Sequence, residues 1–159
     1  MKAYKTPQEL TGAINKELLN FLNTDFKEYV FETQREMVHK HVYSYKASDY
    51  AMYERRYDNG GLSDTSNMRA ITYPKEGAIL FVNETPPQEA DFRNESLSLA
   101  EAVEVGDEAW RMHVNEKGKG PGPRPFTQET VNKMANSMKT YSTFKQYFNK
   151  LGIKTIRNK

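Results

Sequence analysis

Asn67-Met68-Arg69-Ala70-Ile71-Thr72-Tyr73-Pro74-Lys75-Glu76-Gly77-Ala78-Ile79-Leu80-Phe81-Val82-Asn83 is the stretch on which the fold class turns. Its first part alternates apolar and polar residues from Met68 through Ala70, and Ala78 to Asn83 is rich in residues that favour strands. Pro74-Lys75-Glu76-Gly77 between them supplies turn chemistry, so an antiparallel hairpin is predicted. Thr85-Pro86-Pro87 closes it, because proline has no N–H to give to a ladder. A hairpin set between segments of helical period makes the chain α+β: a long N-terminal helix, a small antiparallel β-sheet and a C-terminal amphipathic helix.

Upstream, Thr6-Pro7-Gln8-Glu9 reads as an N-cap, a proline at the first helical position and a glutamate closing a capping box. Leu10, Ile14, Leu18 and Leu22 then recur every four residues with Phe21 beside them, which is one apolar stripe. Asn23-Thr24-Asp25 is either a break with a fresh N-cap or a polar patch on a helix that continues, with a kink near residue 24. A weaker stripe, Val30, Met37, Val38 and Val42, carries the helical region on to about Tyr43.

Downstream of the hairpin, Ser96 to Val105 is expected to be a short helix with Gly106 just past its end. Glu108 to Val114 reads as a further short strand. The last helix is the clearest element: Val131, Met134, Met138, Tyr141, Phe144, Phe148 and Leu151 follow steps of three and four. Thr127 is its expected N-cap and Gly152 its stop, with Asn136-Ser137 and Thr140 weakening the middle.

A chain of 159 residues is sized for one domain, here residues 1–159, with long loops at 44–65 and 114–126 and a basic tail at 153–159. The absence of cysteine excludes disulfides and thiolate metal sites. The longest apolar run, Ala78 to Val82, is far short of the roughly 20 residues that span a bilayer, so no membrane partner is expected. The N-terminal residues lead into a polar helix and not a secretory core, which places the expected site of synthesis and action in the cytoplasm. Charge is unevenly placed. Thr130 to Lys159 holds seven cations and no acid, whereas Asn83 to Asp107 is acidic. That is either a solvated basic helix face or a surface turned to DNA or an acidic partner, with Lys145, Lys150 and Lys154 as the DNA-facing candidates.

Catalytic patterns do not emerge. His39 and His41 stand two apart, which puts them on different faces of a helix, and His113 is remote in sequence. Glu101 and Glu104 read as an acidic helix face. Gly118-Lys119-Gly120-Pro121-Gly122 lacks the spacing and the Ser/Thr ending of a phosphate-binding loop, and its proline removes an N–H. Neither a catalytic residue, a metal site nor a cofactor is expected.

The specified-looking residues lie in two irregular stretches. In Tyr53-Glu54-Arg55-Arg56-Tyr57 two guanidinium groups sit among aromatic rings, able to stack, to bind carboxylates bidentately, or simply to lie over the rings at the surface. Asn59-Gly60-Gly61 follows and predicts a tight turn near residue 60. In Pro123-Arg124-Pro125-Phe126 two prolines fix the backbone, hold Arg124 outward or against an acid, and direct Phe126 into the core. Arg124 reads equally as an interface anchor and as an architectural residue. Tyr53, Arg55, Arg56, Gly60, Gly61, Arg124 and Phe126 are therefore the interface candidates, the glycines, Phe126 and the flanking prolines serving to shape the loops.

The order of these pieces resembles the small head–tail joining proteins (neck or tail-completion proteins) of long-tailed bacteriophages, in the form found in phages of Gram-positive bacteria. The residues that carry the resemblance are the N-terminal helix followed by Tyr53-Glu54-Arg55-Arg56-Tyr57-Asp58-Asn59-Gly60-Gly61-Leu62-Ser63-Asp64. The hairpin, Leu99-Ala100-Glu101-Ala102-Val103-Glu104-Val105-Gly106, and Gly122-Pro123-Arg124-Pro125-Phe126 ahead of a final helix complete the set, which spans roughly residues 10 to 152. Members often carry a more aliphatic segment where Ala102-Val103-Glu104-Val105 stands. The resemblance implies a non-enzymatic structural virion protein without cofactor, a homo-oligomeric ring between the phage connector or adaptor and the tail proteins, with non-specific contact to DNA. It would sit in the host cytoplasm during assembly and then in the virion. The alternative is a small nucleic-acid-binding protein of a mobile element using its basic C-terminal helix. A weaker third reading is a hydrolase or toxin using His39, His41 or His113.

Overall fold

In the computed structural model, residues 5–44, 56–86, 98–106 and 123–155 are described. The strand expected at residues 108–114, the loop tyrosines Tyr45, Tyr50 and Tyr53, Arg55, Trp110 and His113 lie outside the described residues.

Helix α1 (Pro7–Asn23) starts at the expected Thr6 N-cap, but Glu9 closes on Lys5, one residue before the cap, and not on Thr6 as a capping box requires. The Thr6 hydroxyl accepts from the Glu9 N–H at 3.2 Å, Pro7 occupies the first turn, and the Glu9 carboxylate accepts from the Lys5 N–H at 2.8 Å. Thr24 then leaves helical geometry at φ −119°, ψ −102°, so the expected kink is a break, and α2 (Asp25–Val38) begins at once. Asp25 and Glu28 in its first turn complement the positive helix end. A single π-helical turn, His39–Tyr43, prolongs α2.

The hairpin forms as expected, β1 (Met68–Tyr73) against β2 (Ala78–Asn83), in a register running from Met68↔Asn83 to Tyr73↔Ala78. Gly77 takes φ +62° in the connecting turn. A 3₁₀ turn, Thr65–Asn67, leads into β1, capped by the Asp64 carboxylate.

Helix α3 (Leu99–Val105) carries a complete capping box between Ser98 and Glu101 and ends at Gly106, φ +78°. The last helical region is divided: α4 (Phe126–Ala135) and α5 (Met138–Lys150) are separate helices. Asn136 and Ser137 cause the break, since both are weak helix formers and the Ser137 hydroxyl caps the new helix by accepting from the Lys139 N–H at 3.1 Å. The N-cap of α4 is Pro125 and not Thr127, which lies within the first turn. There the Thr127 N–H donates to the Glu104 carboxylate at 2.5 Å, so a side chain of α3 does the capping that Thr127 was expected to do. Gly152 at φ +76° stops α5 as expected.

Helix α2 is the centre. Tyr29, Val30, Thr33, Gln34, Met37 and Val38 are buried along it. At its C-terminal end Met37, Val38 and Val42 meet Leu62, Ala100, Val103 and Phe126, and Phe126 is fully enclosed. At its other end an aromatic cluster joins four elements, α1, α2, β2 and α5. Phe21 packs against Phe26, Phe144, Tyr147 and Phe148, while Phe81 on β2 meets Phe26 and Phe31. Ring contacts of this kind add roughly 0.5–1.5 kcal/mol each beyond the area they bury.

Two parts of the expected apolar stripes find no cover among the described residues. On α1, Leu10 and Ile14 stay exposed while Phe21 is buried, so only the C-terminal half of the helix meets the body. Val131 and Met138 are exposed too, because the break at residues 136–137 resets the helical phase between the two halves of the stripe.

Candidate functional site

The stretch 56–64 is a chain of tight turns clamped to α2. Asn59 N–H donates to the Arg56 carbonyl at 2.9 Å, Gly61 N–H to the Tyr57 carbonyl at 3.0 Å, and Asp64 N–H to the Gly61 carbonyl at 3.1 Å. Asp64 holds both sides of it, accepting from the Gly60 N–H at 2.6 Å and the Ser66 N–H at 2.9 Å. These donors, the Ser66 hydroxyl first, hold the Asp64 carboxyl below its ordinary range.

Both glycines are required, for different reasons. Gly60 sits at φ +81°, where an L side chain is strained. Gly61 has no such φ, but a Cβ there would lie 2.3 Å from the Tyr57 carbonyl oxygen. The turn is too tight for any side chain.

Asp58 is the clamp. Its carboxylate accepts from Arg35 Nη2 at 2.6 Å and from the Ser63 hydroxyl at 2.6 Å, with His39 Nε2 at 3.3 Å. The Arg35 guanidinium is the chief cause that lowers its pKa to about 2, followed by the Ser63 hydroxyl. Around it, Tyr57 lies edge-on to Tyr43 at 4.6 Å and stacks on His39 at 6.4 Å. The Tyr43 hydroxyl accepts from the Ser63 N–H at 3.3 Å, and burial pushes its pKa up. The loop therefore presents a partly exposed Tyr57 ring on a base of Arg35, His39 and Asp58.

Although a serine, a histidine and an aspartate meet here, the order is not that of a nucleophilic relay. The carboxylate lies between the other two, the Ser63 hydroxyl donates to Asp58 and not to a basic imidazole, and Ser63 is wholly buried. Among the described residues no three His, Asp or Glu side chains converge as metal ligands.

Beside this clamp runs an open groove of about 600 Å³ between α2 and the α4–α5 junction. Its charges are matched internally. Lys133 pairs with Glu36, Arg35 with Asp58 and Glu32, and Lys139 Nζ lies 4.9 Å over the Tyr29 ring.

Of the interface candidates, Arg56 donates to the Pro86 carbonyl at 2.5 Å and ties the loop to the exit of the hairpin. Gly60 and Gly61 form the turn, and Tyr53 and Arg55 lie outside the described residues. Arg124 is half-buried, its N–H bonded to the Val103 carbonyl at 3.0 Å, and Phe126 fills the core below it. The structure thus brings Arg56 together with the glycine turn, and Arg124 with Phe126 at the α3–α4 junction.

The three lysines do not share one face. Lys145 and Lys150 are separated by about 140° around α5, five residues at about 100° each. All three are exposed, and Lys150 lies 3.9 Å from Asp25. Arg35, His39, Tyr43, Asp58 and Ser63 escaped the sequence reading as a group. Their only signal was the Asp-Asn-Gly-Gly turn chemistry beginning at Asp58, which does not say which helix receives the carboxylate.

Among families, the chain matches YomN over residues 6–150, almost its whole length, and it belongs to that family. No curated protein and no solved structure matches it. No helix among the described residues is long and apolar enough to cross a membrane.

Proposed function

We propose that this YomN-family chain is a structural protein of the phage virion, part of the neck, joining the head connector to the tail. The observation that carries the reading is the loop 56–64. It is held by Asp58 and Asp64 and displays Tyr57. A loop fixed before it meets a partner loses little freedom on docking, which suits an adaptor that must seat repeatedly in one orientation. Membership in the YomN family supports the phage setting, and the order of motifs supports the neck. On this reading the protein is non-enzymatic, takes no cofactor, forms a homo-oligomeric ring, and contacts the connector or adaptor above and the tail proteins below. It assembles in the host cytoplasm and ends in the virion.

The alternative, a nucleic-acid-binding protein of a mobile element, draws on the acid-free run from Thr130 to Lys159. The pairing of Lys133 with Glu36 of α2 weighs against it, because that cation is already partly neutralised. Non-specific contact with DNA through Lys145 and Lys154 is compatible with the neck reading.

Electron cryo-microscopy of particles from cells producing the surrounding virion proteins, with and without this chain, tests the proposal. Ring density at the head–tail junction, with unjoined heads and tails when the chain is missing, is the expected result. Fully joined particles lacking the chain would overturn it.

A further inference from the structure

The hairpin carries two unsatisfied features at once. Glu84 N–H donates to the Asn67 carbonyl at 2.8 Å, which makes Asn67 and Glu84 a bonded pair just beyond the strands. Bonded and non-bonded pairs alternate in an antiparallel ladder. The register then turns the backbone groups of Ala70 and Thr72 outward along β1, where the Met68 N–H is taken by the Thr65 carbonyl, and those of Ile79, Phe81 and Asn83 outward along β2. No third strand pairs with either edge among the described residues. Neither strand contains a proline, and their register is continuous, without a bulge, so two usual ways of closing an edge are missing.

The second feature is the outer face. Phe81 turns inward onto Phe26 and Phe31, which leaves Ile71, Tyr73, Leu80 and Val82 on the opposite side. Tyr73 and Leu80 there are 42% and 48% exposed, well above what a sheet face with a covering layer would show.

We infer that a second copy of this chain docks on the hairpin, β1 of one copy edge to edge with β2 of the next. Charge selects this pairing. The one charged residue of β1 is Arg69; β2 has none, and Glu84 follows it directly. Arg69 Nη1 and the Glu84 carboxylate pair across the hairpin at 2.9 Å, with side chains 63% and 46% exposed. Joining β1 to β2 brings Arg69 of one copy alongside Glu84 of the next, giving each surface ion pair a second neighbour of opposite charge, whereas joining like edges sets two cations or two anions together. The exposed outer face gains as well, since Ile71 and Tyr73 of one copy come alongside Leu80 and Val82 of its neighbour.

Symmetry carries the argument further. The two strands of each copy are antiparallel, so repeating the hairpin around an axis along the strands keeps every new contact antiparallel. Two different edges meeting make a heterologous contact, and such contacts close into rings when the rotation permits. The surface therefore deepens the ring of the reading above, on which this inference rests for its closed form.

The test is the mass of the full-length chain in solution, by native mass spectrometry and light scattering across concentration, for wild type, Arg69→Glu and Glu84→Arg. Wild type is expected to form closed oligomers larger than a dimer. Each variant is expected to raise the concentration needed for assembly by about tenfold or more, because every contact then joins like charges. An equimolar mixture of the two variants should assemble again. Mixing cannot mend the Arg69–Glu84 pair within either chain, so recovery reports a contact between copies, and unchanged melting curves exclude loss of fold. Monomers at every concentration, dimers and nothing larger, or variants that assemble like wild type would each overturn the inference. The neck role is judged separately by the joined or unjoined state of particles: rings seen beside joined particles lacking the chain would sink that role and leave the docking surface standing.

Discussion

Replacing Gly61 with alanine should destabilise the protein far more than the same change one residue earlier. A Cβ at Gly61 would stand 2.3 Å from the Tyr57 carbonyl oxygen, 2.7 Å from the Tyr57 nitrogen and 3.1 Å from the Arg56 carbonyl carbon. Comfortable separations are about 3.5 Å, so relief of about 1 Å is needed. All three atoms are backbone, and no rotamer change can supply that relief. The turn itself must open. Forced overpacking costs roughly 1–3 kcal/mol. Opening also strains the Gly61 N–H bond to Tyr57 and the bonds its carbonyl accepts from Asp64 N–H and Asn67 Nδ2, both at 3.1 Å. Losing one or two of these adds about 0.5–1.5 kcal/mol each. The sum is about 1.5–6 kcal/mol, which for a chain of this size lowers the melting temperature by on the order of 3–24 °C.

Gly60→Ala is the internal control. Its φ of +81° penalises any side chain, but no atom lies within 4 Å of the added carbon. The left-handed conformation alone costs roughly 1 kcal/mol. Thermal melts followed by circular dichroism read both variants. If Gly61→Ala melts within a degree or two of wild type, or no lower than Gly60→Ala, the tightness of the turn is not what holds the loop.

Other predictions follow from the same geometry. Asp58→Asn should destabilise the protein at neutral pH by replacing an acceptor of Arg35 with an amide. The folded-state pKa of Asp58 is depressed to about 2 from 3.8, so its contribution is present above the unfolded value and is lost as pH falls from about 4 toward 2. Denaturant midpoints of wild type and variant should accordingly converge near pH 2, and a gap that stays constant to that pH would refute the clamp. Phe126→Ala removes the fully buried ring at the α3–α4 junction and should cost about 3–5 kcal/mol in chemical denaturation; a loss under 1 kcal/mol would mean the junction collapses around the gap. The edge-charge variants and the particle reconstruction complete the set.

What sequence alone determined is local. The Thr6 cap, the hairpin with its Pro74–Gly77 turn, the short helix expected over Ser96 to Val105 with Gly106 past its end, and the stop at Gly152 each rest on residues within a few positions of one another. Their hydrogen bonds close over that short range, so the pattern suffices. The glycine turn near residue 60 was legible for the same reason. Tertiary structure decided the remainder. Asp58 is bound to Arg35 and His39, separated from them by 23 and 19 residues, and nothing in a run of turn residues names the helix that will receive a carboxylate. Thr127 looked like a cap until Glu104 of α3 took its N–H. Leu10 and Ile14 have the spacing of buried residues, yet whether a stripe is covered depends on what packs beside it, and α2 reaches only the far half of α1. Periodicity states which face of an element is apolar; only packing states what meets it.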